Sequence, residues 1–190
     1  MSRVATRTEM TADEYLRWER EQVDKHEFFH GTVFAMAGGS PRHNELCGNV
    51  LAALKAFLRP RGCSVLSSDQ RVSFMARTRY VYPDVSAVCG PLELEAGDVL
   101  LNPQILVEVL SSSTEQYDRG MKWEGYQRLA SLTDYVLVSQ AEPRIEHFQR
   151  AADGSWTYRA AEAGGRIVLT SGAELVVDDI FAGAFALPGD

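Results

Sequence analysis

The sequence predicts a mixed α/β fold (α+β), a mixed sheet with helices on both faces, and three observations carry that expectation. The run ILVEVL at 105–110 is apolar on both faces apart from Glu108, the pattern of a central strand buried on both sides. The elements come in the order α-β-β, α, several strands, α, β, then strands. That is neither a clean βαβα alternation nor the pattern of a β-sandwich. The 190 residues, 45% hydrophobic and 24% charged, suffice for a core without staples. A single domain over 1–190 is expected, with its core at about 10–182.

The elements follow in order. Thr11 and Glu14 form a capping-box pattern that starts a helix over 11–22, with Tyr15 and Trp18 on one face. HEFFHGTVFAMA reads as two strands turning at Gly31. Ser40-Pro41 opens a second helix, because Ser is a favoured N-cap and Pro is tolerated in the first turn. Its apolar stripe is Leu46, Val50, Leu54 and Phe57-Leu58, and Pro60-Arg61-Gly62 stops it. Strand-like runs follow at 63–68, 71–75, 80–89 and 104–111, with a loop over 90–103 bounded by Gly90, Pro91 and Pro103. A third helix is expected over 114–131 and a buried strand over 135–139. The tail, with RIEHFQR, SWTYRAA and RIVLTSG, reads as a C-terminal β-meander closed by 176–181.

Composition excludes several classes. Three cysteines, an odd number without C-x-x-C spacing, argue against a disulfide framework or a zinc knuckle, and read as reduced, buried small hydrophobes. The segment MSRVATRTEMTADEYL lacks the apolar region of a signal peptide, and no window approaches the length of a membrane span, so no membrane partner and a cytoplasmic location are expected. A net charge of −7 weighs against a non-specific nucleic-acid coat protein. It leaves room for a nuclease, whose carboxylates add negative charge that a divalent ion offsets locally.

The candidate chemistry centres on Asp84, in VYPDVSAV, and Glu108, in ILVEVLS. Each is a single acid in an otherwise apolar run, a costly place unless the carboxylate is paired or metal-bound. Two readings stay open: a shared oxygen site for Mg²⁺, or buried acids bonded to a Lys or Arg. Asp118, Lys122 and Tyr126 recur at i, i+4 and i+8, on one helical face. Lys122 either points back at the carboxylates, where an ammonium orients a water near a phosphate, or makes an exposed pair with Asp118 worth about 0.3–0.5 kcal/mol.

From about Met10 to Phe181 the chain resembles the Uma-type restriction endonucleases, a bacterial family within the PD-(D/E)XK nuclease superfamily. The resemblance rests on HEFFHGTVFAMAGGSPRHNEL, YPDVSAVC, PQILVEVLSSST, the Asp118/Lys122/Tyr126 spacing and LTDYVLVSQ, in that order. It implies a restriction-endonuclease-like fold, Mg²⁺ or Mn²⁺, and phosphodiester hydrolysis on nucleic acid, DNA first; superfamily habit adds a homodimer. Asp84 then matches the acid of the PD motif and Glu108 the first acid of (D/E)XK, the two metal ligands. Leu110 stands where the motif has Lys, and Lys122 matches the lysine that family members carry on the following helix. Glu27 and His43 match recurrent family positions. The resemblance lets Glu27 approach the metal and His43 carry a proton or contact phosphate. Tyr126 packs beside Lys122 or bonds a carboxylate. Two rivals share these residues: a nuclease fold without activity serving interaction or regulation, and a metal-dependent hydrolase of a small phosphorylated molecule.

Overall fold

Capping and turn chemistry set the first elements of the computed structural model, which describes residues 5–190. After β1 (Ala5–Arg7), the Thr11 hydroxyl accepts the Glu14 N–H, and the Glu14 carboxylate accepts the Thr11 N–H at 2.7 Å. This reciprocal cap opens α1 (Ala12–Glu19), which stops short of the expected 22. Strands β2 (His26–Phe29) and β3 (Thr32–Ala35) turn through His30 and Gly31, at φ 46° and 89°, a two-residue loop whose twist suits a hairpin. Ser40 caps α2 (Pro41–Leu58), its hydroxyl accepting the His43 N–H at 3.2 Å.

Strands β4 (Cys63–Ser67), β5 (Arg71–Phe74), β6 (Arg79–Val81) and β7 (Val85–Cys89) follow. The run expected as one strand over 80–89 is therefore two, in different sheets. Pro83 lies at the break, where it cannot donate to a ladder. The expected loop over 90–103 also holds two short strands, β8 (Leu94–Glu95) and β9 (Val99–Leu100). Next come β10 (Ile105–Val109), α3 (Glu115–Tyr117), a π-helical turn over Asp118–Lys122, and α4 (Trp123–Tyr126). The third helix thus ends at Tyr126 rather than 131, because the chain leaves it in tighter turns, Leu129 donating to Tyr126 and Leu132 to Leu129. The remainder is β11 (Asp134–Val138), β12 (Arg144–Arg150), β13 (Trp156–Glu162), β14 (Arg166–Val168), β15 (Glu174–Val176) and the helical turn α5 (Val177–Ile180).

The strands form more than the one sheet expected. A seven-stranded sheet runs β1-β3-β2-β6-β5-β9-β8, and a six-stranded sheet runs β13-β12-β11-β10-β7-β4. In the second, β10 and β11 are parallel and the other neighbours antiparallel. The meander is divided: β12 and β13 extend the six-stranded sheet, whereas β14 and β15 pair by themselves. One face of the six-stranded sheet packs Ile105 and Val107 against α2, α5 and the β14–β15 pair. The other packs Leu106 and Leu137 against Tyr126 of α4 and against Val72, Phe74 and Val81 of the seven-stranded sheet. Glu108 shares strand parity with Leu106, so it points into the layer between the two sheets. The core runs past the expected limit of 182, since Ala184 is fully buried.

Strand register also corrects the expectation for the cysteines. Cys63 and Cys89 face each other across β4 and β7, Cα to Cα 4.0 Å, and form a disulfide. The Cys89 N–H donates to Gln104 Oε1 at 2.9 Å, and Gln104 Nε2 donates to the Cys89 carbonyl at 3.3 Å. The backbone of Cys89 therefore bonds away from β4. That leaves the cysteines a non-hydrogen-bonded pair, the arrangement that brings side chains closest. Cys47 is free. Among the described residues no helix is long and apolar enough to cross a membrane. The part of the signal-peptide reading that falls on residues 1–4 lies outside the described residues.

Candidate active site

The antiparallel register of β7 and β10 sets Val85 opposite Val107, so Asp84 meets Glu108 one step beyond the strand end. Asp84 replaces a ladder acceptor there: its Oδ2 accepts the Val109 N–H at 2.7 Å. Glu108 is 3% exposed. Its Oε1 accepts the Tyr126 hydroxyl at 2.8 Å and lies 2.9 Å from Lys122 Nζ. Burial holds the Glu108 carboxyl well above the usual carboxylate range; Lys122 opposes that shift, and Asp118 and Asp84 add to it.

Lys122 is brought in by the π-helical turn, a local feature frequent at functional sites. Tyr135 anchors this turn by donating its hydroxyl to the Asp118 carbonyl at 3.1 Å. Lys122 Nζ stands 2.9 Å from Asp118 Oδ1 and 3.6 Å from Glu27 Oε1, besides its contact with Glu108. Burial works against its charge, but Asp118, Glu108 and Glu27 outweigh burial and hold the ammonium well above the ordinary lysine value. Burial likewise raises the Asp118 carboxyl, against the opposing pull of Lys122. The reading of Asp118 and Lys122 as an exposed pair is thereby corrected: β2 lays Glu27 over them, and both are buried. Tyr126, pushed far up by burial and by Glu108, stays a hydroxyl donor.

The opposite wall comes from α2. His43 Nε2 is 3.4 Å from Asp84 Oδ2, and Cys47 Sγ is 3.5 Å from His43 Nδ1. Burial would lower the His43 pKa, but the hydrogen bond and charge of Asp84 outweigh it and raise the pKa. Burial, with Asp84 and Glu108 nearby, pushes the Cys47 thiol up. Gly39 keeps room for the imidazole: a Cβ there would stand 2.6 Å from His43 Nδ1. Residues 187–190 close the rim. The Arg42 N–H donates to the Pro188 carbonyl at 3.0 Å, its guanidinium donates to the Leu187 carbonyl, and Gln140 Nε2 donates to Asp190 Oδ2 at 3.1 Å.

These residues enclose a cleft of about 390 Å³. Glu27, Asp84, Glu108, Asp118 and Asp190 line it, with Lys122 and His43. Five carboxylates thus face one ammonium, an excess of four formal negative charges when all are ionised. Raised carboxyls beside such an excess are the donor set that a hard divalent cation relieves. Five of the six residues singled out from the sequence (Glu27, His43, Asp84, Glu108 and Lys122) line this cleft, and the sixth, Tyr126, is buried behind it, bonded to Glu108. Sequence reading missed three others. Asp118 reads from the sequence as the i,i+4 neighbour of Lys122 and as part of the family spacing, with no site role of its own. Cys47 reads as a small hydrophobe, although its i,i+4 spacing from His43 is a usable signal. Asp190 carried no signal.

Comparison with known proteins gives the family and the fold. Two curated relatives, both described as uncharacterized proteins of Synechocystis sp., are 35% and 32% identical to the chain. The first alignment covers 92% of this chain and 92% of the relative, the second 80% and 88%. A crystal structure from Anabaena variabilis, described as "a putative nuclease belonging to DUF820", superposes with a TM-score of 0.75 at 18% identity, over 92% of this chain and 99% of that one. That likeness establishes the fold, which is restriction-endonuclease-like. Residues 12–188 match the family described as "Uma2: Putative restriction endonuclease", and the chain belongs to that family.

Proposed function

We propose that this protein is a metal-dependent phosphodiester hydrolase acting on nucleic acid, DNA first, with Asp84 and Glu108 holding Mg²⁺ or Mn²⁺. The observation that carries the reading is the buried Glu108–Lys122–Asp118 cluster beside Asp84, in a cleft with more carboxylates than cations. A divalent ion bound there supplies an activated water and neutralises charge on the phosphate. Lys122 orients the water and steadies developing charge, from the position that the E-x-K motif leaves empty at Leu110. Tyr126 and Lys122 both engage Oε1 of Glu108, which fixes the carboxylate without occupying Oε2. Glu27 balances the lysine from the other sheet, and His43, against Asp84, carries a proton at the cleft wall.

The test is cleavage of plasmid, single-stranded DNA and RNA in Mg²⁺ and in Mn²⁺, with Asp84→Asn and Glu108→Gln alongside. Metal-dependent cleavage by the wild type, lost in both variants, is expected. Equal cleavage by Asp84→Asn would overturn the assignment. Turnover confined to small phosphorylated molecules would move the chain to the second class of hydrolase considered above.

A further inference from the structure

We infer that His43, Cys47 and Asp84 form a second metal site, one that takes a borderline-soft ion of the Zn²⁺ class and draws on the same Asp84 as the hard-ion site. The binding claim stands on these three residues; only the competition between ions rests on the proposed Asp84–Glu108 site.

His43 and Cys47 lie one turn apart on α2, so both side chains fall on the same helical face. The chain entering β7 sets Asp84 against that face. One ligand atom from each residue lies within 4.8 Å of the other two. Tetrahedral Zn²⁺, with Zn–S of about 2.3 Å and Zn–N and Zn–O of about 2.0–2.2 Å, needs ligand atoms about 3.4–3.6 Å apart. Two separations already meet this, at 3.5 Å for sulfur to Nδ1 and 3.4 Å for Nε2 to the carboxylate. They use opposite ring nitrogens, so closing on one ion takes a turn of the imidazole and a shift of about an ångström. Gly39 lines the ring's pocket.

The ligand chemistry separates this site from the first. A thiolate and an imidazole select zinc-like ions, whereas an all-oxygen pair suits Mg²⁺. Three protein ligands with a fourth position left to water is a common zinc arrangement, and two of the three here, His43 and Asp84, line the cleft. On coordination the Cys47 S–H bond breaks, its proton goes to solvent, and sulfur and a neutral His43 nitrogen each give an electron pair to the ion. Because Asp84 serves both sites, Zn²⁺ should displace the hard ion and inhibit.

Titration with Co²⁺ as a spectroscopic probe, and with Zn²⁺ by calorimetry, tests the proposal without any cleavage assay. Both are run on the full chain without thiol reductant, so that Cys63 and Cys89 stay paired. The wild type should give a near-ultraviolet thiolate-to-cobalt band, bleached by Zn²⁺, and Zn²⁺ binding should release protons. Cys47→Ser should lose the band and bind Zn²⁺ at least tenfold more weakly, with its Mg²⁺-induced thermal shift unchanged; Cys47→Ala serves if Ser destabilises the helix. No band in the wild type, or equal Zn²⁺ affinity in both variants, would overturn the site. A Zn²⁺ affinity independent of Mg²⁺ concentration would overturn the competition.

Discussion

Replacing Lys122 by Met removes the ammonium from the cluster but keeps most of the apolar stem. Lys122 is 5% exposed and lies 2.9 Å from both Glu108 Oε1 and Asp118 Oδ1. Its loss removes the ammonium that both buried carboxylates, Glu108 and Asp118, contact most closely. Breaking a buried pair costs about 3–5 kcal/mol, against about 0.3–0.5 kcal/mol for an exposed i,i+4 pair. At about 2–4 °C per kcal/mol for a chain of this size, the melting temperature should fall by roughly 6–20 °C. The fall should also depend on pH. Burial already raises the Glu108 and Asp118 carboxyls, and removing the opposing lysine raises them further. A native state that holds protons more tightly than the unfolded chain loses stability as pH rises. The deficit should therefore shrink as pH drops from 7 toward the ordinary carboxylate value of about 4.3. Lys122→Met/Asp118→Asn, with one of these carboxylates removed, should recover part of the loss. Thermal and urea denaturation between pH 5 and 8 measure all three. A drop of about 2 °C or less, or a deficit independent of pH, would refute the buried-cluster argument.

Four further outcomes are expected. Saturating Mg²⁺, at about 100 times its dissociation constant, should stabilise the wild type by about 2.7 kcal/mol, and Asp84→Asn should abolish that shift in a thermal melt. Gly125→Ala should lower the unfolding free energy by about 1–3 kcal/mol, read as a lower urea midpoint, since a Cβ there would run into the Phe74 ring and the Arg79 guanidinium. The Arg119 guanidinium grips Glu146 through two bonds of 2.8 Å and holds its carboxyl below the usual range, so this pair stabilises above about pH 4.3 and fades as pH falls; Arg119→Gln should flatten the acid limb of the stability curve. Reducing the Cys63–Cys89 disulfide, which spans a sequence separation of 26, should cost about 3.5 kcal/mol on the loop-entropy relation, read as a lower melting temperature in reductant.

Periodicity made the centre of the fold legible. ILVEVL was placed as a strand buried on both sides because its pattern depends only on its own residues, and the single acid in it drew notice for the same reason. Ser40-Pro41 and Thr11/Glu14 were legible as caps on equally local grounds. What depended on the arrival of distant chain was not legible. The run over 80–89 reads as one strand until two sheets compete for its halves and Pro83 lets it bend between them. The spacing of Asp118 and Lys122 gave their contact, but their burial depends on β2 bringing Glu27 across from another sheet. The disulfide depends on β4 and β7 pairing in one register, which spacing alone could not supply.

The clamp on residues 187–190 has a practical consequence for handling the protein. Arg42 grips Leu187 and Pro188, and Gln140 holds Asp190 at the rim of the cleft. Any sequence fused after Asp190 starts its path at that rim. A polyhistidine tag placed there would bring competing imidazoles to the carboxylates and distort every metal titration, while a bulky fusion would obstruct the approach of a duplex. Fusing the tag ahead of β1, or cleaving it before assay, leaves the cleft as the chain itself shapes it.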